Sequence, residues 1–464
     1  MKSDLNFETY QSPFSWRYGS EEIRQIFSEI KKRKTWRKVW VALARAQHKL
    51  ELVSASELSD IERHQNEIDI TKAHQIEDEI KHDLMAELKT YAAQAKTGGG
   101  KLHLGATSQD IEDNADVLII KKALRTIESK LTDLLSAFAG QIEGNKDLVC
   151  MAYTHLQPAQ PTTLGYRFAF YAQDLLIDWQ LLQFVKTQIK GKGAKGAVGT
   201  AAGYVALLGQ KAQTMESLML DDLGIEAFDV TNQIYPRKID YLIIVVLSGI
   251  AASLHKFAFD VRIMQSPGFG EWMEPFGKTQ VGSSAMPFKR NPQSAERICS
   301  LARYIAALPK VTWDNAANSL LERTLDDSAA RRISIPDAFL AADEILMLTT
   351  KIVKGLIINK KNVEANLEKY GPFAACENLM MQAVKNGADR QKIHEVMRKL
   401  SMQAWQDIGE GKSNPLINLL QKDRIMLQFV GKNQIKTFID PAHSTGLSQK
   451  YCQDFLKKLK SRIK

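Results

Sequence analysis

Apolar residues in the middle of the chain recur at intervals of three and four. From Ile120 they fall at Leu124, Ile127, Leu131, Leu134, Phe138 and Ile142, the period of one helix face. The pattern predicts a helix from about Ile111 to Gln141 or a little beyond. Leu164, Phe168, Leu175, Trp179 and Leu182 mark a second that begins near Thr162. Ile239 to Met264 predicts a third and Asp337 to Leu356 a fourth. No proline falls between Pro13 and Pro158, or between Pro161 and Pro236, as long uninterrupted helices require. Strand-like alternation is scarce, and the segment Ile142 to Thr154 reads as more helix end and a compact turn. YLIIVVLSGIAA, Tyr241 to Ala252, is apolar nearly all round. It is too short to span a bilayer and suits a helix buried at the centre of a large bundle. The expected fold class is all-α, built around a bundle of very long helices. Its expected spans are an N-terminal helical domain (1–108), a central long-helix domain (109–358) and a C-terminal helical domain (359–464).

Composition narrows the function classes. The 464 residues are 44% hydrophobic and 25% charged, an ordinary globular balance. The net charge of +9 is concentrated in KKRKTWRK (Lys31 to Lys38) and KKLKSRIK (Lys457 to Lys464). Outside those runs acidic and basic residues nearly cancel. Solvated helix faces are therefore expected there, with no nucleic-acid or membrane partner. Four scattered cysteines without metal-type spacing suit reduced thiols in the cytoplasm, and the N-terminus has no apolar secretory run. GKGAKG, Gly191 to Gly196, matches a dinucleotide fingerprint, but a helix rather than a strand precedes it. It reads as a helix-to-helix connection. No metal and no organic cofactor is expected.

Several short strings carry more chemistry than a surface needs. GSSAMPFKRNP, Gly282 to Pro292, is broken by two prolines, so it is a loop, yet it holds two hydroxyls, two cations and an amide. YTHLQPAQPTT puts His155 off any helix interior, just before two prolines. HLGATSQDIEDN puts Thr107 and Ser108 ahead of a helix start, where backbone N–H groups favour an anion. LERTLDDSAARR, Leu321 to Arg332, offers three arginines, and KHDLMA a Lys-His-Asp triplet.

Together these strings resemble the fumarase/aspartase superfamily, of which GSSAMPFKRNP is the signature loop. Within it, SWRYGS, KHDLMAEL, LGATSQDIEDNAD, THLQPAQPTT and ERTLDDSAARR resemble the adenylosuccinate lyase family, over nearly the whole chain. The resemblance implies a homotetramer with a core of 20 helices and composite active sites. It also implies β-elimination of fumarate from adenylosuccinate to give AMP, and from the succinylcarboxamide ribotide (SAICAR) to give AICAR. By resemblance Ser283 is the base, His155 the general acid and Glu296 its orienting partner. Lys289 and Asn291 suit the charge that builds on the substrate carboxylate. Arg17, Tyr18, Arg323, Ser328 and Arg332 resemble the family's phosphate contacts. Thr107, Ser108 and Thr154 resemble its carboxylate contacts, and Lys81, His82, Asp83, Gln233 and Arg297 complete the set. His82 and His155 could exchange the acid role.

Two rivals remain at this level. One is another lyase of the superfamily, against which the arginines of ERTLDDSAARR and the early SWRY argue for a phosphate-bearing substrate. The other is a silent structural or RNA-binding scaffold, which has no need of Ser283, His155, Lys289 and Asn291. Chain geometry points to several chains at each site, since a helix of about 45 Å separates Ser108 from the segment that leads to His155.

Overall fold

A computed structural model describes residues 7–463; residues 1–6, and Lys464 at the end of the basic terminal run, lie outside it. α1 (Glu29–Lys49), α2 (Ile70–Ile80) and α3 (Asp83–Gln94) precede the longest helix, α4 (Ser108–Asn145). α5 (Leu164–Gln188), the short α6 (Ala202–Leu208) and α7 (Lys238–Met264) follow, then α8 (Gln293–Ala317) and α9 (Asp326–Lys354). α10 (Lys360–Ala374), α11 (Cys376–Lys385) and α12 (Arg390–Gly409) lead the C-terminal region, and further short helices lie between these elements. The strands among the described residues form two small antiparallel pairs. β1 (Val149–Thr154) pairs with β2 (Gln157–Thr163), and β3 (Trp272–Met273) with β4 (Ile357–Ile358). The fold is all-α, as the periodicity predicts.

Three local expectations change. Val149 to Thr154 is an extended strand rather than helix end and turn. α8 was not legible, and α9 begins at Asp326 rather than Asp337. Both helices hold an internal proline, Pro309 and Pro336. Proline removes a backbone N–H and usually ends a helix, so each one masked the continuity around it. The basic run Lys31 to Lys38 lies on α1, and only part of it meets solvent: Lys38 is exposed and Lys31, Lys32 and Lys34 are partly so. Arg33 and Arg37 are buried, and both bind the buried carboxylate of Glu87 at 3.0 and 2.6 Å. An unpaired charge there would be costly, so the pairing is what allows these two arginines inside the protein.

The chain divides into two compact units, each assembled from separate stretches. One holds residues 1–130, 178–252 and 301–346, and the other residues 131–177, 253–300 and 347–464. This partition differs from the three successive spans drawn from sequence, because it falls inside each of the five longest helices. α4 nevertheless opens at Ser108, and Asn359 caps α10 at the start of the third expected span.

In the first unit, Trp40 packs against Tyr91 with ring centroids 6.2 Å apart, beside the Arg33–Glu87–Arg37 cluster. The second unit has an aromatic core. Phe257 meets Phe138 and Tyr171 edge-on, at 5.2 and 5.3 Å, and stacks near Trp272. Its C-terminal region closes on Leu379, Ile393, Leu416, Leu420 and Ile435. By length and composition alone α7 could cross a membrane, but half of its most apolar window is buried within the chain, which suits a core helix.

Candidate active site

In the first unit the site is built on the ends of α3, α4 and α9. Ser328 and Arg332 stand four residues apart on α9, so they share a helix face. With Arg323 they line a cavity of about 310 Å³, whose wall also includes Lys32, Gln109 and Glu112. Asp83, in the first turn of α3, accepts a hydrogen bond from the Arg332 guanidinium at 2.6 Å. Burial alone would raise the Asp83 carboxyl, but Arg332 and Lys32 outweigh it and hold it below the usual range. His82 caps α3, accepting the Met85 N–H at 3.4 Å, and its Nε2 lies 3.5 Å from the Ser108 hydroxyl. Lys81 ends α2 in the left-handed conformation and is exposed. The Gln233 N–H donates to the Glu322 carbonyl at 3.3 Å, which ties that loop to the segment entering Arg323.

The arginines of the ERTLDDSAARR string do different work. Arg331 is largely covered, paired with Asp240 (2.7 Å) and Asp116 (3.1 Å), whereas Arg332 is half exposed. Arg323 binds Asp327 at 2.8 Å, and Asp327 also accepts from buried Arg237 at 2.7 Å. Arg237 reaches on to Asp113 at 3.0 Å. This network fixes the backbone from which Arg323, Ser328 and Arg332 project. Arg17 and Tyr18 do not line the cavity. Arg17 instead lies over the rings of Trp16 and Tyr18, at 5.6 and 5.8 Å.

In the second unit two further groups stand apart. Thr154 pairs with Gln157 across the end of the β1–β2 hairpin, leaving His155 and Leu156 as its two-residue turn. Both have positive φ, 55° and 59°, and both are exposed. The hairpin is braced just below the tip. The Tyr153 hydroxyl donates to Glu271 at 3.2 Å, Asn366 donates to the same carboxylate at 3.0 Å, and Arg167 donates to the Met151 carbonyl at 2.5 Å.

The other group is the loop before α8. The Asn291 side chain donates to the Gly282 carbonyl at 2.8 Å and closes the loop's neck. A Cβ on Gly282 would run into the Lys289 carbonyl oxygen, so only glycine fits there. Ser283 Oγ accepts the Met286 N–H at 3.1 Å, while Met286, Phe288 and Lys289 are exposed. Glu274 accepts the Ser294 and Ala295 N–H groups at 3.1 and 2.8 Å, capping the helix that carries Glu296 and Arg297. Among the described residues no hydrogen bond joins His155 to Ser283, Lys289, Asn291 or Glu296.

A family model described as lyase matches residues 10–306, and one described as adenylosuccinate lyase C-terminus matches residues 372–455. The adenylosuccinate lyase of Schistosoma mansoni is 38% identical, over 97% of this chain and 95% of its own length. That of Saccharomyces cerevisiae is 37% identical, over 98% and 95%. The chain belongs to the adenylosuccinate lyase family. It is a lyase, and the superfamily resemblance drawn from GSSAMPFKRNP holds. The solved structure of 3-carboxy-cis,cis-muconate lactonizing enzyme from Pseudomonas putida shares the fold, with a TM-score of 0.86 at 23% identity. That match covers 97% of this chain and 99% of the other.

Sequence reasoning about this adenylosuccinate lyase family member missed Glu112, Lys32, Asp113, Asp327 and Arg237. Glu112 sits in the cavity wall and accepts from Gln109 at 2.6 Å. Burial pushes its carboxyl up to about 8, with Asp83 and Asp116 adding to the rise and Arg332 opposing it. Lys32 lies in the KKRKTWRK string, whose sequence signals charge and not a cavity.

Proposed function

We propose that the protein cleaves adenylosuccinate to AMP and fumarate, and the succinylcarboxamide ribotide to its carboxamide product. The observation that carries this reading is the first-unit cavity, which gathers Arg323, Ser328 and Arg332, the residues that resemble the family's phosphate contacts. The half-exposed Arg332 guanidinium already binds one anion, the Asp83 carboxylate, which supports the phosphate reading. A planar guanidinium binds phosphate through paired hydrogen bonds, so arginine is the fitting residue.

In the proposed reaction Ser283 removes the proton next to a carboxylate, and the C–N bond to the purine breaks. His155 then protonates the departing nitrogen. The Met286 N–H directed at Ser283 Oγ favours the negative form of that oxygen. Lys289 and Asn291 answer the charge growing on the carboxylate, and Glu296 orients His155. Thr107, Ser108 and Thr154 hold the succinyl carboxylates. Arg17 and Tyr18 join the phosphate contacts, while Lys81, His82, Gln233 and Arg297 line the rest of the substrate.

These groups meet, on this proposal, in a homotetramer with composite sites. α4 has 38 residues and so runs about 57 Å. The ten residues from Lys146 to His155 retrace at most about 33 Å of that. Ser108 and His155 of one chain therefore serve different sites. α5 supplies the means of assembly, since Tyr166, Phe170, Ile177, Leu181 and Phe184 form an exposed apolar stripe at helical spacing. Five long helices from each of four chains give the 20-helix core. The four free cysteines fit a cytoplasmic location. The test is direct: purified protein with adenylosuccinate should show the ultraviolet change of AMP formation, with fumarate in equal amount. No turnover in a verified tetramer would remove the proposal.

A further inference from the structure

The glycine-rich loop of Gly191 to Gly196 wraps a buried carboxylate at the site's edge. Asp110 stands in the first turn of α4, two residues past Ser108, and is 1% exposed. It pairs with the ammonium of Lys192, which is fully buried. It also accepts the N–H groups of Gly196 at 3.1 Å and Lys195 at 3.3 Å, and the Tyr204 hydroxyl of α6 at 3.1 Å. The fifth donor is the Thr107 N–H, at 3.1 Å. One carboxylate thus joins the loop to the backbone of the Thr107–Ser108 pair. Asn114, one turn further along α4, exchanges hydrogen bonds with Gly193 at 3.0 and 3.1 Å. Gly193 has φ of 81°, and a Cβ there would strike the Glu216 carboxylate, so the clamp needs its glycine.

The arrangement raises a question of charge. A helix N-terminus attracts an anion through its unpaired N–H groups and its dipole. An ionised aspartate within that first turn opposes the attraction. Lys192 cancels it, which a neutral donor could not do. We infer that Asp110 and Lys192 are a positioning pair for the fumarate moiety: Asp110 fixes the Thr107–Ser108 backbone, and Lys192 removes the charge that Asp110 would otherwise present to an incoming carboxylate. The inference rests on the proposed reading of Thr107 and Ser108 as carboxylate contacts.

The experiment measures product inhibition by fumarate and by AMP, separately, in the full enzyme at about pH 8. Lys192→Met should raise the fumarate inhibition constant about tenfold, through one uncompensated nearby charge, and leave that of AMP within about twofold. Asp110→Asn combined with Lys192→Met should bring fumarate back to within about threefold of the unmodified protein, because the charge is gone again. Equal weakening of fumarate and AMP, unchanged fumarate binding in Lys192→Met, or no recovery in the double variant would each overturn the inference. Should Lys192→Met not fold, Lys192→Gln decides, since it keeps a donor for Asp110 but not the charge. The fumarate inhibition constant should then rise about tenfold with that of AMP within about twofold, and an unchanged fumarate constant overturns the pair's role. Ser108→Ala keeps the underlying reading separate. If it leaves fumarate binding intact, the assignment of Thr107 and Ser108 falls; if it weakens fumarate while Lys192→Met does not, only the pair's role falls.

Discussion

Ser283 and Arg332 face different demands, and their variants should separate. Ser283 lies in a loop whose hydroxyl already accepts the Met286 N–H, an arrangement suited to a base. Ser283→Ala should abolish turnover, while adenylosuccinate still binds through contacts elsewhere. As the proposed phosphate contact, Arg332 would meet a charge that is the same in ground and transition states, so Arg332→Ala should raise KM about 10- to 100-fold with a smaller effect on kcat. Steady-state kinetics and direct binding of adenylosuccinate check both; near-normal turnover in Ser283→Ala would remove it as the base. Glu112 makes a pH prediction. Folding raises its carboxyl from 4.5 to about 8, so the folded protein keeps a proton that the unfolded chain has lost. That contribution is complete below about pH 4.5 and fades as pH rises through 8. Between pH 6 and 9, Glu112→Gln should therefore lose less thermal stability than the unmodified protein, by about 2–4 °C in Tm. A parallel decline of both proteins would refute the buried-proton account. Ser283 and Arg332 were legible because each lies in a short string of unusual chemistry. Glu112 was not, because its neighbours Asp83 and Arg332 come from distant parts of the chain.

At the scale of elements, the periodicity of α4, α5 and α7 announced them because each carries an unbroken stripe every three or four residues. The β1–β2 hairpin left no such trace. Its second strand contains Pro158 and Pro161, which read as loop, and its turn is His-Leu rather than a glycine-bearing pair. A turn with two positive φ values prefers Asn-Gly, so His155 and Leu156 hold it against their own preference. Leu156 is exposed and contributes little packing. Leu156→Gly should therefore stabilise the hairpin by up to about 1 kcal/mol, yet lower kcat several-fold, because the tip that presents His155 becomes freer. Thermal unfolding and kcat together test this. A lower Tm with unchanged kcat would show that the side chain matters to packing and the turn's rigidity does not matter to catalysis. The basic run on α1 teaches a complementary lesson: counting charges cannot show that Glu87, on α3, lies between Arg33 and Arg37.

At the scale of the whole molecule, the proposed composite sites require other copies of the chain to complete the three groups. The hairpin tip and the Ser283 loop are both exposed, and no hydrogen bond links His155 to that loop among the described residues. The exposed apolar stripe of α5 is the surface through which that assembly is proposed to form. The decisive experiment mixes His155→Ala with Ser283→Ala, each inactive alone, under conditions that allow subunits to exchange. Where one site takes His155 from one chain and Ser283 from another, each residue is intact half the time in an equal mixture. About one quarter of the sites should then hold both, and about a quarter of the unmodified activity should return. Where a single chain supplies both residues, every site lacks one of them and the mixture stays inactive. Native mass spectrometry of the same sample establishes that hybrids formed. Verified hybrid tetramers without activity would place both residues on one chain, and the long helices would then serve to hold the assembly together without dividing the site among its members.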